Sequence, residues 1–391
     1  MALPGLTSFM FINFSNSLAR VSLLWLLCIA SFVGAGLGPS SPPLVFFAER
    51  GEELLIRLGG FDTSGRSLST TILSLPVSDS LGTAASVSVK GETSALAGAI
   101  FELSQLFVSQ GLQPRRGRPV QSAPLVVDAL AGNRLLYVAP QFAPPLGAWG
   151  KFSYRVSDGP RMSLPGFVWI LPPHGHIVHS DFRNDADGWK VIGKATLTRE
   201  GFSRGLLSQY LVATDTAIQA ASRVVDSTGK KRAVKSGDSS LWKFLAPQHF
   251  LGNKVVAYGG SLGFTAGAFA GDFSLEQVQK NVPLVSIECS SCRGGQGVRI
   301  GFFADAKNII LDGKTKKFNL PLTPDKWVKD PRNTLQPWTA IAECELVQVL
   351  SAVSELTILG DWTAWFETVA IDDVYFSVSQ PYMGIPRSCY T

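Results

Sequence analysis

Charge is scarce in this sequence, and the residues that most often carry catalysis are scarcer. Only 17% of the 391 residues are Asp, Glu, Lys or Arg, and 35 basic against 30 acidic side chains leave a formal +5 spread along the chain. Without a basic stripe there is no electrostatic footprint for nucleic acid, which is not expected as a partner. The basic runs Lys230-Lys231-Arg232 and Arg115 to Arg118 read as polar loops, with polyanion binding as their alternative. Histidine occurs four times and never after His249. Gly259-Gly260-Ser261-Leu262-Gly263 does spell GxSxG, but a nucleophile elbow draws its acid and its histidine from later in the chain. "GGQGVRIG" at Gly294 to Gly301 lacks the GxGxxG spacing, and no Walker or HExxH motif occurs. Paired carboxylates for glycoside hydrolysis could be drawn from Asp181, Asp185, Asp187, Asp361, Asp372 and Asp373, though acids at strand ends are commonly turn formers. The chain is expected not to be an enzyme.

What the chain has is apolar content and turns. Hydrophobic residues make up 46%, and 38 Gly with 23 Pro follow no period, which excludes collagen and long coiled coils. Many short elements joined by turns predict an all-β protein. Residues Val21 to Gly38 form an uncharged apolar run behind Arg20, and Val33-Gly34-Ala35 offers small residues to a signal peptidase. Residues 1–38 therefore read as a signal peptide or, uncleaved, as a signal anchor, the one segment expected to meet a membrane. The rest is expected to be secreted or on the extracellular face. Cys28 lies in that run and leaves Cys289, Cys292, Cys344 and Cys389, an even four that predicts two disulfides in an oxidising compartment. Residues three apart close only a small loop, so at least one of Cys289 and Cys292 is expected to reach Cys344 or Cys389.

Past the linker "GPSSPP", apolar residues alternate at Leu54, Ile56 and Leu58, at Ala85, Val87 and Val89, and at Phe152, Tyr154 and Val156. Period two means strands with one buried face, and the turns around Asp62 and Asp158 suit an antiparallel sandwich over residues 43–172. The stretches "GGFDTSGRSLSTTILSLP" and "NRLLYVAPQFAPPLGAWGKFSYRVSDG" resemble cadherin-like or immunoglobulin-like repeats. That resemblance implies calcium at junction acids, for which Asp62 and Asp158 stand among Ser, Thr and Gly; as turn formers they need no metal.

Residues 173–180, "PHGHIVHS" after Pro172, read as a linker whose His174, His176 and His179 are solvated and whose backbone is open to proteases. A second sandwich is expected over residues 181–378, with a tail at 379–391. Strand-like stretches run from Lys254 to Tyr258, Ser261 to Thr265, Leu284 to Glu288, Val298 to Phe303 and Ile371 to Phe376. Apolar spacing between Ala340 and Val353 predicts one helix, with Thr339 able to cap it. One short helix among many strands implies a jelly-roll-like sandwich, giving two tandem antiparallel β-sandwiches in all. Here "SSLWKFLAPQHFLGNKVVAYGGSLGFTAGAF" resembles the centre of the laminin IV domain, also called laminin B, and "ECELVQVLSAVSELTILGDWT…ETVAIDDV" resembles its helix and closing strands. No flanking run of close cysteines accompanies it, so a laminin chain is not implied.

The resemblance implies a non-catalytic adhesion or extracellular-matrix binding module with an extracellular protein or glycan as ligand. The alternative is a carbohydrate-binding receptor acting through exposed aromatics, for which Trp362 with Trp365 is the candidate pair. "DFRNDADGW" and "AIDDVYF" also resemble the terminal strands of carbohydrate-binding jelly rolls, which implies a structural calcium at Asp181 and Asp373, opposed by the charge of Arg183. No other cofactor is expected.

Overall fold

A computed structural model describes residues 38–78, 97–103, 115–127, 132–141, 147–183, 185–200, 209–215, 223–225, 231–233, 241–271, 273, 282–305, 315–333, 335–363 and 367–389. The apolar run with Cys28, the Ala85 to Val89 alternation, Lys230 and Trp365 lie outside these residues. The protein is all-β, with one α-helix among the described elements. No helix among the described residues is long and apolar enough to cross a membrane.

Residues 44–171 form two sheets. One has five strands in the order Leu44–Phe47, Gly166–Leu171, Gly150–Ser157, Ser69–Ile72 and Leu125–Val127. The other has four, Glu53–Arg57, Arg134–Val138, Ala99–Leu103 and Arg116–Pro119. Strict alternation of buried and partly exposed residues along Gly150–Ser157 shows why the period-two pattern is legible here. Ile56, Ile72, Leu135, Tyr137, Phe152 and Tyr154 meet in one apolar cluster. The first strand departs from the expected antiparallel pairing: Leu44–Phe47 runs parallel to Gly166–Leu171.

From residue 176 onward two larger antiparallel sheets face one another. The first orders Ala195–Glu200, Tyr210–Asp215, Thr368–Ser377, Ser261–Ala270 and Thr315–Pro321, with His176–Ser180 also paired to Thr368–Ser377. The second has seven strands: Lys190–Ile192, Lys243–Leu245, Glu355–Leu359, Val285–Cys289, Val298–Phe302, Val328–Lys329 and Thr339–Ala340. Ser261–Ala270 is buried from Leu262 to Ala268, so it sits at the centre of the layers with Gly and Ala where neighbours crowd. A Cβ on Gly263 would lie 2.2 Å from the ring of Tyr375, and only glycine fits there.

The motif "FLGNK" has a structural reason. Gly252, at φ +75°, exchanges backbone hydrogen bonds of 2.7 and 3.0 Å with Val353, and the Lys254 amide donates to the Leu350 carbonyl at 2.7 Å. The motif thereby satisfies the Leu350 carbonyl, which the helix Glu343–Ser351 leaves open in its last turn, and pairs with Val353 just beyond it. This pairing turns Val255–Ala257 into a 3-10 turn, correcting the strand expected from Lys254 to Tyr258. The helix begins later than expected: Thr339 is not its cap but part of an edge strand, and Ala342 stands at the N-cap without a side-chain bond. Leu346, Val347, Val349 and Leu350 form its buried face.

The expected linker is a strand. His176–Ser180 is zipped to Thr368–Ser377, Ile177 and Val178 are buried, and the Ala148 amide donates to the Ile177 carbonyl at 3.2 Å. Of its histidines, His174 is exposed, whereas His176 stacks on Tyr375 with ring centres 4.1 Å apart. The apolar cluster of the second region also takes in Ala148, Trp169 and Leu171 from the first. Ile177 and Val178 are buried because both flanking regions cover them.

Candidate functional site

The disulfides pair Cys289 with Cys292 and Cys344 with Cys389. This corrects the expectation that one of the first two would reach the others. Positive φ at Arg293, Gly294 and Gly295 belongs to the tight turn after Val285–Cys289, where the two Cα atoms of the close pair stand 5.5 Å apart, a distance a disulfide spans without strain. The second bridge ties the tail to the helix.

Neither acid proposed for calcium faces open space. Asp181 accepts from the Arg183 amide at 3.1 Å and meets the Arg183 guanidinium at 2.7 Å. Asp373 lies at a bulge of Thr368–Ser377 with φ +53°, and its Oδ1 is 2.6 Å from His179 Nε2. Burial would raise the Asp373 carboxyl, but the His179 hydrogen bond and the nearby charges of His179, Lys317 and His176 hold it below the usual carboxylate range. Among the described residues, no three His, Cys, Asp or Glu gather as a metal would need. In the first region Arg161 stands where a cation would: its guanidinium is 2.8 Å from Asp158 and 3.6 Å from Asp62.

The groups read for hydrolysis are equally committed. Ser261 opens a ten-residue strand instead of a strand-to-helix turn, and its Oγ lies 2.8 Å from Ser377 Oγ. His249 bonds Asp187 at 3.0 Å, and Asp187 also accepts from the Ser180 hydroxyl. Both groups therefore converge on one carboxylate, and no imidazole stands between serine and acid as a triad requires. Glu367 is fully buried, accepts from the amides of Trp362 and Thr363 at 2.8 and 2.9 Å, and is pushed up to about 9 by burial against the Thr363 bonds and beside Asp361. Its carboxyl thereby holds the backbone at Trp362 and Thr363.

Trp362 is the clearest correction. It is 0% exposed, packs edge-on against Phe318 and donates its indole N–H to the Leu359 carbonyl, so it offers no platform to a sugar. Trp149, Trp169, Trp189, Trp242 and Trp327 are buried too, which leaves Trp338 as the one described tryptophan with an open side. Large aromatics drive core packing, and here six of the seven described tryptophans do that.

Trp338 lines an open depression of about 1180 Å³ on the seven-stranded sheet, together with Glu288, Arg299, Phe303, Asp330 and Arg332. Cross-strand pairing of Val285–Cys289 with Val298–Phe302 sets Glu288 opposite Arg299. Arg299 Nε and Nη2 donate to Glu288 Oε2 at 3.0 and 2.8 Å, Arg332 Nη2 reaches Oε1 at 3.3 Å, and Arg299 Nη1 lies 3.6 Å from Asp330. Phe303 meets Trp338 edge to face at 5.2 Å, and a Cβ on Gly301 would stand 2.8 Å from the indole, so the ring rests on the strand backbone. Neither composition nor motif singles out these residues. Their signal was the Glu288/Arg299 pair flanking "CSSC" at positions a hairpin places opposite, which shows only once that hairpin's register is known.

With this geometry in place, comparison with known families decides the second region. Residues 243–388 match the model of the Laminin B (Domain IV) family. The C-terminal half carries a laminin IV domain. No curated protein matches the chain. Among solved structures, the L4b domain of human laminin alpha-2 is similar at 18% identity over 35% of this chain and 70% of that one, with a TM-score of 0.29. The xylan-binding domain from CBM 22 shares 12% identity over 53% and 97%, with a TM-score of 0.21. The tandem CBM22 domains of Paenibacillus barcinonensis Xyn10C share 12% over 85% and 80%, with a TM-score of 0.26. In the laminin IV domain of this chain, the "FLGNK" turn and the helix it terminates both fall within the matched residues.

Proposed function

We propose that the chain is a non-catalytic extracellular binding module of the adhesion or matrix type, engaging an extracellular protein through its laminin IV domain. The observation that carries this reading is the family match over residues 243–388. Two disulfides support it, because such bridges persist in oxidising compartments. The apolar run behind Arg20 supports entry to the secretory route. Expression of the full chain in secretory cells tests the location: protein in the medium with both disulfides formed is expected, and retention in the cytosol with four reduced thiols would reject it. Solid-phase binding of that secreted protein to a panel of purified matrix proteins tests the activity.

A second reading, a carbohydrate-binding receptor, is favoured by one feature. Trp338 keeps an open side while standing beside a network of hydrogen-bonding charges, and aromatic surface joined to a few fixed polar groups is how small-ligand sites are built. Trp362 no longer supports it.

A further inference from the structure

We propose that the depression at Trp338 binds a neutral pyranose unit of an oligosaccharide, its C–H face on the indole and its hydroxyls on the Glu288–Arg299–Asp330–Arg332 network. This rests on the carbohydrate reading above and names its site and ligand class. A pyranose presents one apolar face and a rim of groups that both donate and accept hydrogen bonds. The depression presents the complement. Its apolar part is a ring that cannot swing away, since the indole is backed by Gly301 and wedged by Phe303. Its polar part contains two guanidinium groups and two carboxylates, donors and acceptors side by side.

The pairing of these charges selects for neutrality. Two cations and two anions cancel, so the site neither attracts a polyanion nor repels one strongly at a distance. At contact, a sulfate or carboxylate that accepts from a guanidinium N–H would stand beside the Glu288 and Asp330 carboxylates that face Arg299, and like charge would oppose it. A hydroxyl meets no such repulsion, because it can donate to a carboxylate lone pair as well as accept from a guanidinium N–H. Side-chain exposure of 45% at Arg299 and 50% at Arg332 leaves those N–H groups reachable, while Glu288 and Asp330 at 20% and 18% are held in place. The loop carrying Arg332 is fixed by its own turns: Asp330 Oδ1 accepts from the Arg332 amide at 2.7 Å and Asn333 Oδ1 from the Leu335 amide at 3.0 Å. Fixed donors and a fixed ring cost little ordering on binding.

Titration of the full secreted chain with cellohexaose, xylohexaose, maltohexaose, mannohexaose and a heparin-derived hexasaccharide tests this, read from tryptophan indole N–H resonances. The Trp338 signal is assigned as the one lost in Trp338→Phe. At least one neutral hexasaccharide is expected to shift that signal saturably and the heparin fragment not to. Read by calorimetric titration, which needs no indole signal, Trp338→Ala should weaken binding about tenfold and Trp338→Phe less, as removal and retention of a stacking ring would do. Arg332→Ala, at an exposed position, should weaken it with the other indole signals unmoved, which keeps the test valid if Trp338→Ala disturbs folding. Neutral-sugar binding that both variants leave unchanged would overturn the site while the carbohydrate reading stands. Failure of every neutral sugar to about 10 mM would overturn both. Either result leaves the adhesion reading to its own matrix-protein assay, and a Trp338 response to the heparin fragment alone would overturn the proposed ligand class.

Discussion

The two halves of this molecule hold themselves together by different means. Residues 44–171 contain no cysteine and join two of their turns with a charge clasp, Arg161 between Asp62 and Asp158, whereas the laminin IV region adds two covalent bridges. The difference teaches where covalent help is placed. The first region packs its strands into one apolar cluster without a staple, while the second fastens a tail and a helix that lie outside its sheets. Between them the halves are not insulated, for Trp169 belongs to a strand of the first and packs in the core of the second.

Trp169→Ala is the strongest way to break the comparison. Removing a fully buried Trp should cost roughly 3–5 kcal/mol, and because this one is shared, calorimetry should show one unfolding transition in the parent split into two in the variant. Limited proteolysis complements it: the bond segment 172–180 should resist cleavage in the parent and become sensitive in Trp169→Ala. Next in size is the tail bridge. Cys344 and Cys389 are 45 residues apart, so replacing both with Ser should cost about 4 kcal/mol by loop entropy, against about 2 kcal/mol for Cys289 and Cys292, three residues apart. Denaturant midpoints of the two double variants give the ranking, and equal losses would contradict it.

A smaller and separable effect is the response to pH. Burial drives His176 down to about 3, so the unfolded chain binds more protons below 6.5. That contribution is present above pH 6.5 and is lost as pH falls toward 3. Glu367 has the opposite sign: raised from 4.5 to about 9, it contributes stability fully below pH 4.5 that is lost as pH rises through 9. Thermal midpoints between pH 4 and 9 should therefore lose their alkaline decline in Glu367→Gln and their acid decline in His176→Phe, which keeps the stack on Tyr375. The smallest expected change is Arg161→Ala, which releases a partly exposed clasp; it should lower the first region's stability slightly, most at low salt, as hydrogen exchange of 150–157 would report.

Much of the fold was open to sequence reasoning because the signals were local. Alternation at Phe152, Tyr154 and Val156 marks a strand whatever it pairs with, and the runs at Ser261, Leu284 and Val298 proved to be strands for the same reason. The "FLGNK" stretch was legible as family likeness before its role was, since its work is to meet the Leu350 carbonyl at the end of a helix about a hundred residues later. Where the reading failed, a distant partner had intervened. Lys254 to Tyr258 is apolar enough for a strand but is bent by Leu350, and the histidine segment is polar enough for a linker but lies along Thr368–Ser377.

The same division governs the candidate site. Residue type and spacing were enough to establish that this chain is all-β, holds four cysteines beyond its apolar N-terminal run and carries a laminin IV likeness, because strand period, turn chemistry and motif are written in neighbouring residues. Which cysteine meets which, which tryptophan faces outward and which acids already have partners were decided by tertiary structure alone. Trp362 and Trp338 are the same side chain on the same sandwich, and nothing adjacent to either in sequence distinguishes them. Burial is a property of the surfaces that close over a residue: Phe318 packs on Trp362 and Glu367 bonds its amide, whereas Trp338 meets the strand backbone at Gly301 and keeps its other side in water.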